Sequence, residues 1–103
     1  MNKLMLTAVS AALLALSGTA AADQALAQKN ACMSCHGIDK KIVGPAFNEV
    51  AKKYAGDKTA PEKLAHKVKA GGKGVWGQIP MPPNANVKDE DIEKLVKWIL
   101  TLK

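Results

Sequence analysis

No arginine occurs anywhere in this chain. All 15 basic residues are lysine, set against 9 acidic residues for a formal net charge of +6. Recognition of nucleic acids leans on the planar guanidinium fork for bidentate contacts to bases and phosphates, so a basic balance made of lysine alone argues against DNA or RNA as a partner. It suits weak, fast docking to an acidic protein surface. Aromatic side chains are nearly as scarce: Phe47, Tyr54, Trp76 and Trp98 are the whole set. There is no run of alternating polar and apolar residues, which argues against a sheet, and no internal repeat or low-complexity tract. The only two cysteines are Cys32 and Cys35.

The one long apolar run opens the chain. "MNKLMLTAVSAALLALSGTAAAD" has a positive charge at Lys3, an apolar stretch from Leu4 to Leu16, and then small residues with Ala20 and Ala22 placed as an A-x-A cleavage site before Asp23. That order reads as a secretory signal peptide, and the stretch is shorter than the roughly 20 residues a membrane span requires. The expected organisation is therefore a cleaved leader at 1–22 and one domain at 23–103, exported to a bacterial periplasm with no membrane insertion after cleavage. A mature chain of about 80 residues has difficulty burying a sufficient core and commonly needs a disulfide, metal or bound group as a staple.

Four short helical patterns follow. The first covers Gln24 to Ala31, with Asp23 as its expected N-cap. The second begins after Pro45, with Phe47, Val50, Ala51 and Tyr54 on one face and Gly56 as a stop. The third is "TAPEKLAHKVKAGG", where Thr59 and Glu62 have the spacing of a capping box and Leu64, Ala65 and Val68 form a short stripe. The fourth, "DEDIEKLVKWILTLK", puts Ile92, Leu95, Val96, Ile99 and Leu100 on one face, with acids first and lysines last as the helix dipole favours. The intervening "GKGVWGQIPMPPNANV" is too rich in Gly and Pro to be regular. The fold class is all-α.

The chemistry is concentrated in "ACMSCHG", residues 31–37. A disulfide between Cys32 and Cys35 would close a very small loop and gain little. A thioredoxin-like redox pair belongs beside a βαβ unit, and no strand pattern is present. Zinc could use Cys32, Cys35, His36 and His66, but adjacent Cys35 and His36 suit tetrahedral ligation poorly. Covalent haem attachment accounts for all three residues: cysteines at i and i+3 lie on one face of a helical turn and can form thioethers, and the histidine that follows can reach the iron. C-x-x-C-H is the signature of that chemistry. The cofactor expected is one haem c, held by Cys32 and Cys35, with His36 as one axial ligand.

The second axial ligand decides the use of the haem. Met1 and Met5 leave with the leader, and Met33 lies inside the attachment turn, so Met81 is the methionine that remains. It stands in "IPMPP", where Pro80, Pro82 and Pro83 each fix φ and remove an N–H. His66, set among Lys63, Lys67 and Lys69, is the rival. A filled sixth position favours electron transfer, and an open one favours gas binding or oxygen chemistry.

"CMSCHGIDKKIVGPAFNEVAKKYAG", "GGKGVWGQIPMPPN" and "LVKWILTLK" together resemble the short bacterial class I cytochromes c of the five-fifty-one/five-fifty-two type, over essentially all of residues 23–103. The resemblance implies a compact four-to-five-helix fold around one covalent haem, His36 and Met81 as axial ligands, and a periplasmic single-haem electron carrier rather than an enzyme. It also implies that the Pro45 carbonyl accepts a hydrogen bond from His36, that the Trp76 indole N–H reaches a haem propionate, and that Asn84 lies near the Met81 sulfur. Lys67 stands where some members have an arginine near the propionates, and "NANVKDED" runs one residue longer than in other members. The expected partners are acidic-surfaced redox proteins, docked on a monomer through Lys29, Lys40, Lys41 and Lys73, which flank the attachment turn or the ligand loop. The rival classes are a small haem peroxidase, for which a distal catalytic constellation is missing, and a ligand-sensing haem module with a labile sixth site.

Overall fold

The computed structural model describes residues 22–103, and the expected leader lies outside the described residues apart from Ala22. Among the described residues the architecture is all-α, with no strand. Helix α1 covers 22–29, a single 3₁₀ turn covers Cys32–Ser34, α2 is Phe47–Lys53, α3 is Ala60–Ala70 and α4 is Asp89–Ile99. α4 is the spine against which both α2 and α3 pack.

Its sequence explains that role. Asp89, Glu90 and Asp91 occupy the first turn and Lys97 the last, complementing the helix dipole, while Ile92, Leu95, Val96 and Trp98 are buried. Trp98 widens the stripe beyond the simple periodic face: it meets Phe47 edge-on, with ring centroids 5.8 Å apart, and Ala27, Phe47, Leu95 and Trp98 make one apolar cluster. α1 joins the core through Ala27, which is fully buried there. Of the larger side chains among the described residues, Ile92 and Val96 alone are completely enclosed, a thin core for a domain of this size.

Two expected helix starts differ from what is found. Residue 22 is already helical, so Asp23 lies within α1 and is not its N-cap; alanine is the best of helix formers and readily takes the position before it. At α3 the Thr59–Glu62 capping box does not form. Thr59 occupies the N-cap without a side-chain cap bond, because its backbone N–H and its hydroxyl both donate to Asp57 Oδ1, at 2.8 and 2.6 Å. An aspartate two residues ahead of the threonine makes a local turn of its own, and the hydroxyl spent there is no longer available to the helix. These bonds hold the exposed Asp57 carboxyl below its ordinary range, with Lys63 adding a smaller pull.

α2 is capped by another route. Its N-cap is Ala46, which has no side chain to offer. The backbone N–H groups of Phe47 and Asn48 instead donate to the carbonyls of Gly37 and Ile38, at 2.8 and 2.9 Å. The helix start is thereby tied to the loop just after the cysteines.

Candidate haem site

α1 ends one turn before the cysteines. The Asn30 side chain and its backbone N–H both donate to the Leu26 carbonyl, at 3.0 and 3.1 Å. Ala31 then takes a left-handed conformation, with φ 62°, which turns the chain into the 3₁₀ turn. That conformation costs an L-residue about 1–2 kcal/mol. Cys32 opens that turn and Cys35 closes it as the C-cap, and both line the same cleft. The N–H groups of Cys35 and His36 both donate to the Cys32 carbonyl, at 3.2 and 3.0 Å. Burial pushes the Cys32 thiol upward, against a smaller opposing effect of its backbone hydrogen bond.

The His36 ring is fixed by three neighbours. Nδ1 lies 2.7 Å from the Pro45 carbonyl oxygen; a carbonyl only accepts, so Nδ1 carries the proton and Nε2 keeps the free lone pair a metal needs. Phe47 stacks on the ring, with centroids 4.9 Å apart and planes 21° from parallel. Gly44 comes so close that a Cβ there would sit 2.6 Å from the ring's Cε1. The 43–44 backbone is pinned in that place because the N–H groups of Val43 and Gly44 donate to the Cys35 carbonyl, at 3.1 and 2.7 Å.

Met81 is half-buried on the loop between α3 and α4. It pairs with Gly72 in an isolated antiparallel bridge, its N–H donating to the Gly72 carbonyl (2.8 Å) and its carbonyl accepting from the Gly72 N–H (3.1 Å). Gly71 makes this approach possible. Its φ of 76° is left-handed, and a Cβ there would lie 2.6 Å from the Met81 carbonyl oxygen.

These residues meet in one cleft of about 380 Å³, lined by Cys32, Cys35, His36 and Met81 together with Pro45, Trp76 and Asn84. Val43, Val75, Trp76 and Ile79 also line it and are left 41–68% exposed. Large apolar side chains collected around a concave site, beside a thin core, fit a flat apolar group that completes the interior. The donor set fits haem c in the same way: two thiols at the ends of one turn, one imidazole in the metal-binding tautomer and one thioether. Zinc fits less well, since among the described residues no three His, Cys, Asp or Glu side chains form a metal-binding group. His66 is exposed and belongs to a different cleft, with Tyr54, Lys63, Lys67 and Lys73.

Trp76 is exposed at the rim, with the Lys53 ammonium 5.7 Å from the ring centroid. The Asn84 amide donates to the Val68 and Pro82 carbonyls, at 3.1 and 3.3 Å. Lys67 is half-buried and borders both clefts. Lys29, Lys40, Lys41 and Lys73 are exposed, and Lys73 lines the first cleft. Sequence reasoning did not find Gly44 as a wall of the histidine site; a glycine eight residues after His36 reads only as a turn.

Paired thiols, a tautomer-fixed imidazole and an apolar slot on an all-α scaffold define a covalent-haem electron-transfer protein. The chain belongs to the cytochrome c family, whose sequence model matches residues 20–103. It is 53% identical over 94 residues to cytochrome c-552 of Nitrosomonas europaea, covering 91% of each chain. It is 56% identical over 84 residues to cytochrome c-551 of Allochromatium vinosum, covering 82% of this chain and 89% of that one. The crystal structure of wild-type Nitrosomonas europaea cytochrome c552 superposes with a TM-score of 0.76 at 55% identity, covering 78% of this chain and 99% of that one. The protein is a short class I cytochrome c with one covalent haem c, an electron carrier and not an enzyme. Among the described residues no helix is long and apolar enough to cross a membrane.

Proposed function

We propose that the protein is a periplasmic single-electron shuttle with His36 and Met81 as the axial ligands of its haem iron. The observation that carries this reading is the shared cleft: Cys32, Cys35, His36 and Met81 all line it, and His66 does not. When bound, haem c supplies a reversible ferric/ferrous couple. Cys32 and Cys35 hold it by thioethers, and His36 presents the Nε2 lone pair while Pro45 fixes the tautomer and Phe47 and Gly44 fix the ring. A soft thioether from Met81 favours ferrous iron and raises the potential, and the prolines around it limit its movement when the oxidation state changes.

Residues 1–22 act as a cleaved export signal in this reading, and the mature monomer docks acidic redox proteins through Lys29, Lys40, Lys41 and Lys73. Electron exchange between such partners needs encounter more than affinity, and exposed charges of opposite sign on the two proteins speed encounter. The test of the ligation is spectroscopic. The oxidised holoprotein should display the weak far-red charge-transfer band of methionine-ligated ferric haem and should not bind carbon monoxide readily when reduced. A missing band with ready carbon monoxide binding would turn the reading toward a ligand-sensing module.

A further inference from the structure

The loop that carries Met81 has little means of holding itself. Pro80, Pro82 and Pro83 offer no N–H groups, so few of the loop's own donors are left to secure it and its partners lie outside it. Three sets of contacts do this, all with the last turn of α3 or the glycines that follow it. Gly72 pairs with Met81. The Asn84 backbone N–H reaches back to the carbonyls of Val68 and Lys69, at 3.1 and 3.2 Å. The third contact belongs to a side chain: the Lys69 ammonium donates to the Val87 carbonyl at 2.7 Å and lies 3.0 Å from an Asp89 carboxylate oxygen.

We propose that Lys69 is a positioning residue for Met81, its ammonium closing the 81–87 loop against α3 and holding the thioether at the cleft. The proposal rests on Met81 being the sixth ligand. Of the two Lys69 contacts, the carbonyl bond carries the effect. The Asp89 side chain is 83% exposed, so its ion pair works in water and contributes little. The Lys69 side chain is 39% exposed, and a charged donor on a half-buried carbonyl is the stronger kind of hydrogen bond. It also spans 18 residues of sequence, bridging the end of α3 to the segment that leads into α4. The ligand arm is thereby fastened at both of its ends, at Gly72 before it and at Val87 after it.

The test uses the holoprotein and three variants. Lys69→Met keeps the aliphatic stem and loses the donor; Lys69→Arg keeps a donor; Asp89→Asn loses the ion pair and keeps the Val87 bond. Cyanide capture by the ferric protein reads how often Met81 leaves the iron. Lys69→Met should capture cyanide about tenfold faster or more, as the loss of one charge-assisted hydrogen bond implies, while Lys69→Arg and Asp89→Asn stay near the wild-type rate. A merely structural lysine would lower the denaturant midpoint and leave the capture rate alone, and that result overturns the proposal. So does an Asp89→Asn rate equal to that of Lys69→Met. A wild-type protein without the far-red thioether band removes the ligation reading and this proposal with it. A wild type with the band and an unchanged Lys69→Met rate removes only the role of Lys69.

Discussion

Gly44 and His36 are in closest possible contact: a single methyl group on the Gly44 Cα would lie 2.6 Å from the imidazole Cε1 and 3.0 Å from Nδ1. The ring has little room to yield, because Phe47 stacks on it and Pro45 holds Nδ1. Gly44→Ala should therefore strain the site that presents Nε2. Overpacking of this kind costs about 1–3 kcal/mol. Thermal unfolding of the holoprotein should fall accordingly, with an altered Soret spectrum, and an unchanged spectrum and midpoint would mean that the 43–44 backbone shifts freely.

Ala31 offers the opposite case. It holds φ 62° without the freedom of glycine, directly after the end of α1, where a left-handed glycine is the usual terminator. Ala31→Gly should stabilise the protein by about 1 kcal/mol, the relief of the left-handed cost less the entropy glycine adds to the unfolded chain. Denaturant unfolding with an unchanged slope is the measurement.

What the sequence discloses and what it hides follow from distance along the chain. The C-x-x-C-H turn is readable because its three functional residues are contiguous and local geometry sets their common face. α2 and α4 are readable because an apolar stripe recurs at 3.6 residues. Met81 is singled out by elimination as a candidate, and its place at the cleft is seen only in the fold; Asp57 is not legible, since the hydroxyl of Thr59 has two possible partners and only the folded turn chooses between them. Lys69 is hidden more deeply. Its target is a backbone carbonyl 18 residues away, and carbonyls leave no mark in a sequence. Trp98 falls outside the periodic face of α4, yet it is buried because Phe47 arrives from another helix to cover it.

Asp57 makes stability depend on pH in a defined direction. Its carboxyl is held below the ordinary range by Thr59, so the folded state favours the ionised form. The contribution is complete above the ordinary carboxylate range and is lost as pH falls through the lowered folded-state value. Asp57→Asn should be less stable than wild type near neutral pH, and the two melting curves should converge in acid. A gap of constant size at every pH would assign the effect to shape rather than to charge.

Docking through exposed lysines has a signature in salt. Lys29, Lys40, Lys41 and Lys73 are all exposed, and attraction between solvated charges fades as the Debye length shortens, to about 8 Å at physiological ionic strength. Second-order electron exchange with an acidic redox protein should slow as salt is added. Lys73→Glu should lower the rate at low salt and flatten the slope, and a slope indifferent to that reversal would place the docking face elsewhere.

Replacement of Met81 tests the ligation directly. Met81→Ala leaves Cys32 and Cys35 to keep the haem attached while the thioether that lines the cleft is gone. The sixth position should then take water or become high-spin, and the reduced protein should bind carbon monoxide. The potential should drop, since the soft sulfur that favoured ferrous iron is absent. Stability should fall by about 2 kcal/mol or more, the lower end of what a buried methionine truncation costs, because Met81 is half-buried and, in the proposed ligation, its bond to iron would also fasten the proline loop. The companion variant His66→Gln should leave spectrum and potential as they were, since His66 is exposed in the neighbouring cleft. If the two variants exchange behaviours, with Met81→Ala silent and His66→Gln losing the sixth ligand, then α3 must reorganise around the haem and the arm from Gly72 to Val87 has no part in holding the iron.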